Sequence, residues 1–218
     1  MTLEVEMIFK SKKTNEMIRN EWFCQHQATL ETAPLQDGRS SITVLDWSRP
    51  DSSMYAVRYV FSGSTLFVTG DLGSAVFKLT ERAALSSLAH YSISYFHEKL
   101  ACCDSDDMGV DFDADSACAS IKSTLSEQLE GEEESDAELE DLITRLCAAA
   151  EGCQTKTGWS HELVRFYDEL SSFDSDWYEW LPCCGDTYSH RLQAYLIGLQ
   201  MADAQLNATH KEQKRAAG

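Results

Sequence analysis

Ile42-Thr-Val-Leu45, followed by Val57-Arg-Tyr-Val-Phe-Ser-Gly-Ser-Thr-Leu-Phe-Val-Thr-Gly-Asp-Leu-Gly-Ser-Ala-Val-Phe77, is the stretch that decides the fold. Apolar and polar residues alternate in Ile42–Leu45, and Tyr55, Val57, Tyr59 and Phe61 fall at every second position. A strand puts such residues on one face. Ser62-Gly63-Ser64 is a turn signal, Thr65–Thr69 is a further strand, Gly70-Asp-Leu-Gly73 is a second turn, and Ser74–Leu79 is again extended. Gly63, Gly70 and Gly73 suit turns that need positive φ. The short connections predict an antiparallel meander of three or four strands over about residues 42–79.

Upstream, Met1–Phe9 reads as a strand and Thr14–Cys24 as a short helix. Downstream the period changes from two to nearly four. Thr80 stands where it can cap a helix running to Ala89, with Ala84, Leu85 and Leu88 on its inner face. A shorter helix holds Tyr95 and Phe96. Ala117, Ile121, Leu125 and Leu129 recur every four residues. Leu139, Leu142, Ile143, Leu146, Cys147 and Ala150 follow the spacing of an amphipathic helix. Ser135-Asp-Ala-Glu138 has the form of a capping box before that run, and Gly152 ends it. Further helices are expected over Ser160–Ser172 and Thr187–Leu206, the last with a stripe of Leu192, Tyr195, Leu196, Leu199 and Leu206. The polar tail from Thr209 is expected to fray. Strands followed by helices give an α+β class, one sheet covered by C-terminal helices. A chain of 218 residues is expected to form one domain, 1–218.

The charge is uneven. The net charge is −18. Residues 104–141 hold 15 acidic residues and one basic residue, Lys122. The remaining 180 residues are nearly balanced, with 21 acids and 17 bases. This window reads as an acidic helical insertion, with Glu130-Gly-Glu-Glu-Glu134 as a loose connection between two helices. Such a surface repels phosphates, so direct binding to nucleic acid or to an anionic membrane is not expected. It favours basic partners. No run of 18 apolar residues occurs, and Met1–Lys10 starts acidic without an apolar core, so neither a membrane span nor a secretory signal is expected. The location expected is cytoplasmic.

Signals of chemistry are few. The eight cysteines include the adjacent pairs Cys102-Cys103 and Cys183-Cys184, contain no C-x-x-C, and read as reduced thiols. No P-loop, G-x-S-x-G or H-E-x-x-H motif occurs. His90 and His97, seven apart, could share a helical face near Cys102 and Cys103, which makes a zinc site conceivable. Ordinary polar or core roles explain these residues as well. Asp111-Phe-Asp-Ala-Asp115 resembles the start of a calcium loop, but Ser116 and Lys122 occupy the positions that need glycine and a bidentate acid. A register starting at Asp104 puts Met108 at a ligand position. No metal and no cofactor is expected, and no catalytic residue is named. The aromatics of Trp177-Tyr-Glu-Trp180 are candidate interface anchors or sheet-packing residues, with Trp177, Tyr178 and Trp180 as the anchors.

Asp46-Trp-Ser-Arg-Pro-Asp-Ser-Ser-Met-Tyr-Ala-Val-Arg-Tyr-Val-Phe61 and Leu66-Phe-Val-Thr-Gly-Asp-Leu-Gly-Ser-Ala-Val-Phe77 resemble a family of uncharacterised phage and prophage proteins. Tyr95-Phe-His-Glu-Lys-Leu100 and Leu196-Ile-Gly-Leu-Gln-Met-Ala202 are similar to it as well. The resemblance implies a mobile-element protein acting inside a bacterial host cell, and no known catalytic activity. In that setting the acidic window suggests a counter-defence, anti-CRISPR-like inhibitor acting as a DNA mimic. Its carboxylates would occupy the basic nucleic-acid channel of a defence nuclease such as a CRISPR effector. The residues expected to bind this partner are Asp104, Asp106, Asp107, Asp111, Asp113, Asp115, Glu130, Glu132, Glu133, Glu134, Asp136 and Glu138. The alternatives are a small metal- or nucleotide-binding enzyme, with Gly70-Asp71 and His97 lining a pocket, and an acidic adaptor without inhibitory activity.

Overall fold

Alternation along residues 41–78 becomes a sheet because only a paired strand can bury one side of such a sequence and satisfy its backbone. The computed structural model describes residues 14–36, 41–104, 109–128 and 136–216. The chain divides into two compact units. One comprises Ser11–Gly109 with Ser189–Gly218, and the other contains Val110–Tyr188. The class is α+β.

The first unit is built on a six-stranded antiparallel sheet whose strands follow chain order: β1 (Gln27–Pro34), β2 (Ser41–Ser48), β3 (Val57–Ser62), β4 (Thr65–Gly70), β5 (Ala75–Lys78) and β6 (Leu100–Cys103). The pairings Trp47↔Val57, Leu45↔Tyr59, Tyr59↔Val68, Phe61↔Leu66, Val68↔Ala75 and Leu66↔Phe77 align one buried face across four strands. Tyr55 lies before β3 instead of inside it, and takes φ 57°. The opposite face carries the register row Val44, Val60, Phe67 and Val76, with Phe67 exposed.

Three or four strands were expected and six are present. β1 is exposed along nearly its whole length, so its sequence has no two-residue contrast to read. β6 is only 4 residues long and pairs with β5 across a helical excursion. That excursion also differs from expectation. The amides of Leu79 and Ala83 donate to Ser64 and Gly63 carbonyls, which holds residues 79–83 against the β3–β4 turn. Thr80 therefore caps nothing, and helix α1 is only Leu85–Leu88. Helix α2 (Ile93–Glu98) is capped by the Ser92 side chain, which accepts from the Tyr95 amide. The helical start at residues 14–17 continues as a π-turn over Ile18–Trp22.

The buried face is covered by α8 (His190–Ala216), whose residues 192–199 are all buried. Tyr59 Oη donates to the Tyr195 carbonyl at 2.9 Å, and Tyr195 Oη donates to the Leu72 carbonyl at 2.8 Å. Gly198 permits this approach. A Cβ there would lie 2.3 Å from Tyr59 Oη. The helix begins after Thr187 because Ser189 caps it, accepting from the Leu192 amide at 3.1 Å. It also runs past Thr209, where fraying was expected, to Ala216. The Thr209 hydroxyl bonds back to the Gln205 carbonyl at 3.1 Å, and Asn207 Nδ2 donates to Asp203 at 2.8 Å.

His26 is buried between Phe23 and Trp47. Its Nε2 lies 3.2 Å from the Tyr55 carbonyl, so Nε2 carries the proton and donates. Its Nδ1 is buried without a partner among the described residues. Burial holds the pKa of His26 below its usual 6.5, partly opposed by the Tyr55 bond and assisted by the Arg49 charge. Below the usual value the unfolded chain takes the proton first, so stability should fall as pH drops beneath about 6.5 and level off below the folded pKa. Denaturant midpoints measured from neutral to acidic pH should show this slope, and His26→Gln should flatten it. An unchanged slope in the variant would place the titration elsewhere.

The second unit is helical. A two-stranded ribbon, β7 (Val110–Phe112) with β8 (Asp186–Tyr188), ties its ends together. Between them run α3 (Ala114–Gln128), α4 (Asp136–Glu151), α5 (Lys156–Leu163), α6 (Tyr167–Phe173) and α7 (Trp177–Trp180). Ala117, Ile121 and Leu125 from α3 meet Leu139, Leu142, Ile143, Leu146, Cys147 and Ala150 from α4 in one core, as their spacing predicts. Trp159, Leu163, Leu170, Trp177 and Leu181 complete it. The helix expected over Ser160–Ser172 starts earlier, after Thr155, whose side chain accepts from the Gly158 amide. A 3₁₀ turn at Val164–Phe166 separates α5 from α6. The expected strand Met1–Phe9, the cap residue Ser135, Leu129 and the linker Glu130–Glu134 lie outside the described residues.

Candidate interaction surface

Most large apolar residues described in Val110–Tyr188 pack into its core, and on its exposed surface acids far outnumber bases. Residues Val110–Tyr188 hold 20 acidic and 4 basic residues, which is −16 of the chain's −18. The acidic window from Asp111 to Asp141 is thus the first part of a larger acidic stretch that continues to Tyr188. Within it, Lys156 pairs with Asp186, Arg165 with Glu162, and Arg145 with both Asp141 and Glu169. Three of the four cations are therefore held by the unit's own carboxylates, and they shield little of what faces outward.

The candidate acids divide by position. Asp104 belongs to the other unit, where it accepts from the Ser74 amide at 2.9 Å and from Arg191 at 2.7 Å. Asp113 caps α3, accepting from the Ser116 amide at 2.8 Å while its own amide donates to the Gly185 carbonyl. There it meets the partial positive charge of the helix start. Both carboxylates serve the fold. Asp111 on β7, Asp115 in the first turn of α3 and Glu138 on α4 are exposed, as are Glu140, Asp141 and Glu151. Asp136 opens α4. Asp106, Asp107, Glu130, Glu132, Glu133 and Glu134 lie outside the described residues.

Helix α6 and the start of α7 add acids that the window missed. Asp168, Glu169, Asp176 and Glu179 are all exposed. Counting charge as far as Tyr188 would have found them. Arg145 forks onto Glu169, Nη1 at 3.2 Å from Oε1 with Nη2 on Oε2, and its Nε donates to Asp141 at 2.8 Å. The fork lowers the pKa of the Glu169 carboxyl and raises that of the guanidinium. The same guanidinium lies 5.9 Å from the centre of the Phe166 ring.

The aromatic candidates separate as well. Trp177 is a core residue, its Nε1 donating to Ser171 at 3.2 Å. Trp180 is half-buried and donates to Asp174 at 2.8 Å. Tyr178 is exposed, and so is Tyr167, which sequence reasoning did not single out. Burial beside Cys147 pushes the Cys118 thiol up to about 12, and burial pushes Cys184 to about 12 as well. Both stay protonated near neutral pH and make poor nucleophiles.

The residues weighed for metal or nucleotide chemistry do not converge. His90 lies in the turn between α1 and α2 while His97 is on α2, and His90 Nδ1 lies 2.7 Å from the Ser86 carbonyl. Asp111 is on a strand, Asp113 is a cap and Asp115 is helical, so no calcium loop forms. Among the described residues no group of three or more His, Cys, Asp or Glu is placed to hold a metal ion. Asp71, in the β4–β5 turn, clamps the loop before β3, Oδ2 accepting from the Tyr55 amide at 2.7 Å. No helix among the described residues is long and apolar enough to cross a membrane. No family model, curated protein or solved structure matches the chain.

Proposed function

We propose that the chain is a binding protein whose acidic unit occupies a basic, nucleic-acid-binding channel of a partner protein and so inhibits it. The observation that carries this reading is the −16 concentrated in Val110–Tyr188. Helix α4, with 16 residues, is about 24 Å long. Over that length duplex DNA carries about 14 phosphates. The 20 carboxylates of Val110–Tyr188 are of the same order, and those on α3 to α7 stand on helices that pack around one core. A basic channel would attract such a body over long range and lose affinity for DNA while it is bound. The resemblance to phage and prophage proteins suggests the setting, counter-defence against a host nuclease such as a CRISPR effector.

The test uses the purified chain as bait in bacterial lysate, first at about 0.1 M and then at about 1 M salt. Over that range the screening length shrinks from about 10 Å to about 3 Å. The captured protein should be lost at high salt and should fail to hold duplex DNA while the chain is bound. Neutralising the exposed Asp111, Asp115, Glu138 and Glu140 to Asn or Gln should weaken its binding at least about tenfold at low salt. A captured protein that still binds DNA normally in the complex would overturn inhibition by occupancy.

A further inference from the structure

We propose that Tyr167, Tyr178 and the carboxylates around them form a docking platform for an arginine-rich segment of the partner protein. This rests on the acidic unit being a surface for basic partners, and it names the partner's chemistry. Val164, Tyr167 and Tyr178, at 68%, 59% and 59% exposure, are the exposed large hydrophobic residues of this unit among the described residues. They fall within one short segment. Tyr167 and Tyr178 both stand edge-on to Trp177, with ring centres 5.9 Å and 6.5 Å away and interplanar angles of 80° and 79°. Trp177 is itself buried and tied to Ser171. The two exposed rings are therefore held on a fixed base, which limits the entropy lost when a partner packs on them.

Exposed Asp168, Asp176 and Glu179 flank these rings in sequence, beside Glu169, which Arg145 already holds. An aromatic face beside carboxylates suits a guanidinium best. That group is planar, stacks on a ring and forks onto a carboxylate at the same time, whereas an ammonium acts as a hydrated point charge. The unit already holds one arginine in this manner, since Arg145 lies over Phe166 and forks onto Glu169. Charge also selects the occupant. A second copy would bring −16 against −16, and nucleic acid would bring more negative charge.

The experiment titrates the full chain at low salt with oligo-arginine and oligo-lysine peptides of equal length, by calorimetry and by tryptophan fluorescence. The native chain should bind the arginine peptide about fivefold or more tighter, as two added cation–π contacts imply. Tyr167→Ser with Tyr178→Ser should remove that preference and leave the weaker binding common to both peptides. Both side chains are exposed, and circular dichroism reports whether the fold is intact. Tyr167→Leu with Tyr178→Leu keeps apolar bulk, and it too should lose the preference. If the leucine variant keeps the preference, ring electrostatics is not its source and the proposal falls. If the native chain binds both peptides equally, the platform falls while the acidic surface stands. If it binds neither, both readings fall. Self-association that vanishes in the serine variant would assign the rings to a second copy and overturn the proposal.

Discussion

Trp159→Ala should lower the unfolding free energy by about 4 kcal/mol, near the middle of the range for a fully buried aromatic residue. Trp159 has no exposed surface. Its ring stacks on Phe112 with centres 5.9 Å apart, joining α5 to the β7–β8 ribbon. Its Nε1 donates to the Leu181 carbonyl at 3.1 Å, joining α5 to the turn after α7. Truncation removes the ring, opens a cavity and takes from that carbonyl one of its two donors, leaving the Cys184 amide. A loss of this size is a large part of the stability a small domain possesses. Urea unfolding followed by circular dichroism measures it, and Trp159→Phe, which keeps a ring but not the hydrogen bond, should lose less. A midpoint in Trp159→Ala equal to the native one would mean that the core of the acidic unit is not organised around this ring. The acidic surface depends on that core, so Trp159→Ala should also weaken partner binding without touching a charge.

Gly70→Ala should cost about 3 kcal/mol or more in the sheet unit, through backbone alone. Gly70 ends β4 with φ 147°, a conformation that L residues rarely adopt. A Cβ there would stand 2.1 Å from the Ala56 carbonyl oxygen. That oxygen is not free to retreat. It accepts from the Asp71 amide at 2.9 Å, and Asp71 in turn holds the Tyr55 amide. No rotamer change relieves the clash, because both parties are main chain. Guanidinium unfolding of the variant is the measurement, and a native-like midpoint would show that the loop approach is looser than described. The consequence reaches beyond the turn, since the same loop presents the Tyr55 carbonyl to His26.

Legibility followed the locality of the signal. The strands β2 to β5 were readable because one face is buried and the other is not, so Val57, Tyr59 and Phe61 alternate with Arg58 and Val60. β1 was not, because water covers both its faces and Thr29, Leu30 and Glu31 are all exposed. The apolar backs of α3 and α4 were readable from four-residue spacing. The start of α8 was displaced because Thr187 and Ser189 are both plausible caps by type, and only the pairing of Thr187 in β8 excludes the first. Among the candidate site residues, charge density could not separate Asp113 and Asp104, which serve a helix start and an arginine, from Asp111 and Glu138, which face outward. The aromatic segment showed its composition but not its sorting. Trp177 and Tyr178 are neighbours in the chain, and one is core while the other is surface.

Sequence alone was sufficient for the class of fold, the meander, the amphipathic helices and the acidic excess, since each is set by residue type at short range. Tertiary structure decided the rest. It extended the sheet to six strands through pairings between distant segments, and it set the limits of the acidic body at Val110 and Tyr188 by closing a ribbon between them. It also chose which carboxylates and rings are left for a partner. That choice depends on what each side chain meets across the chain, and contacts between distant residues leave no period in the sequence.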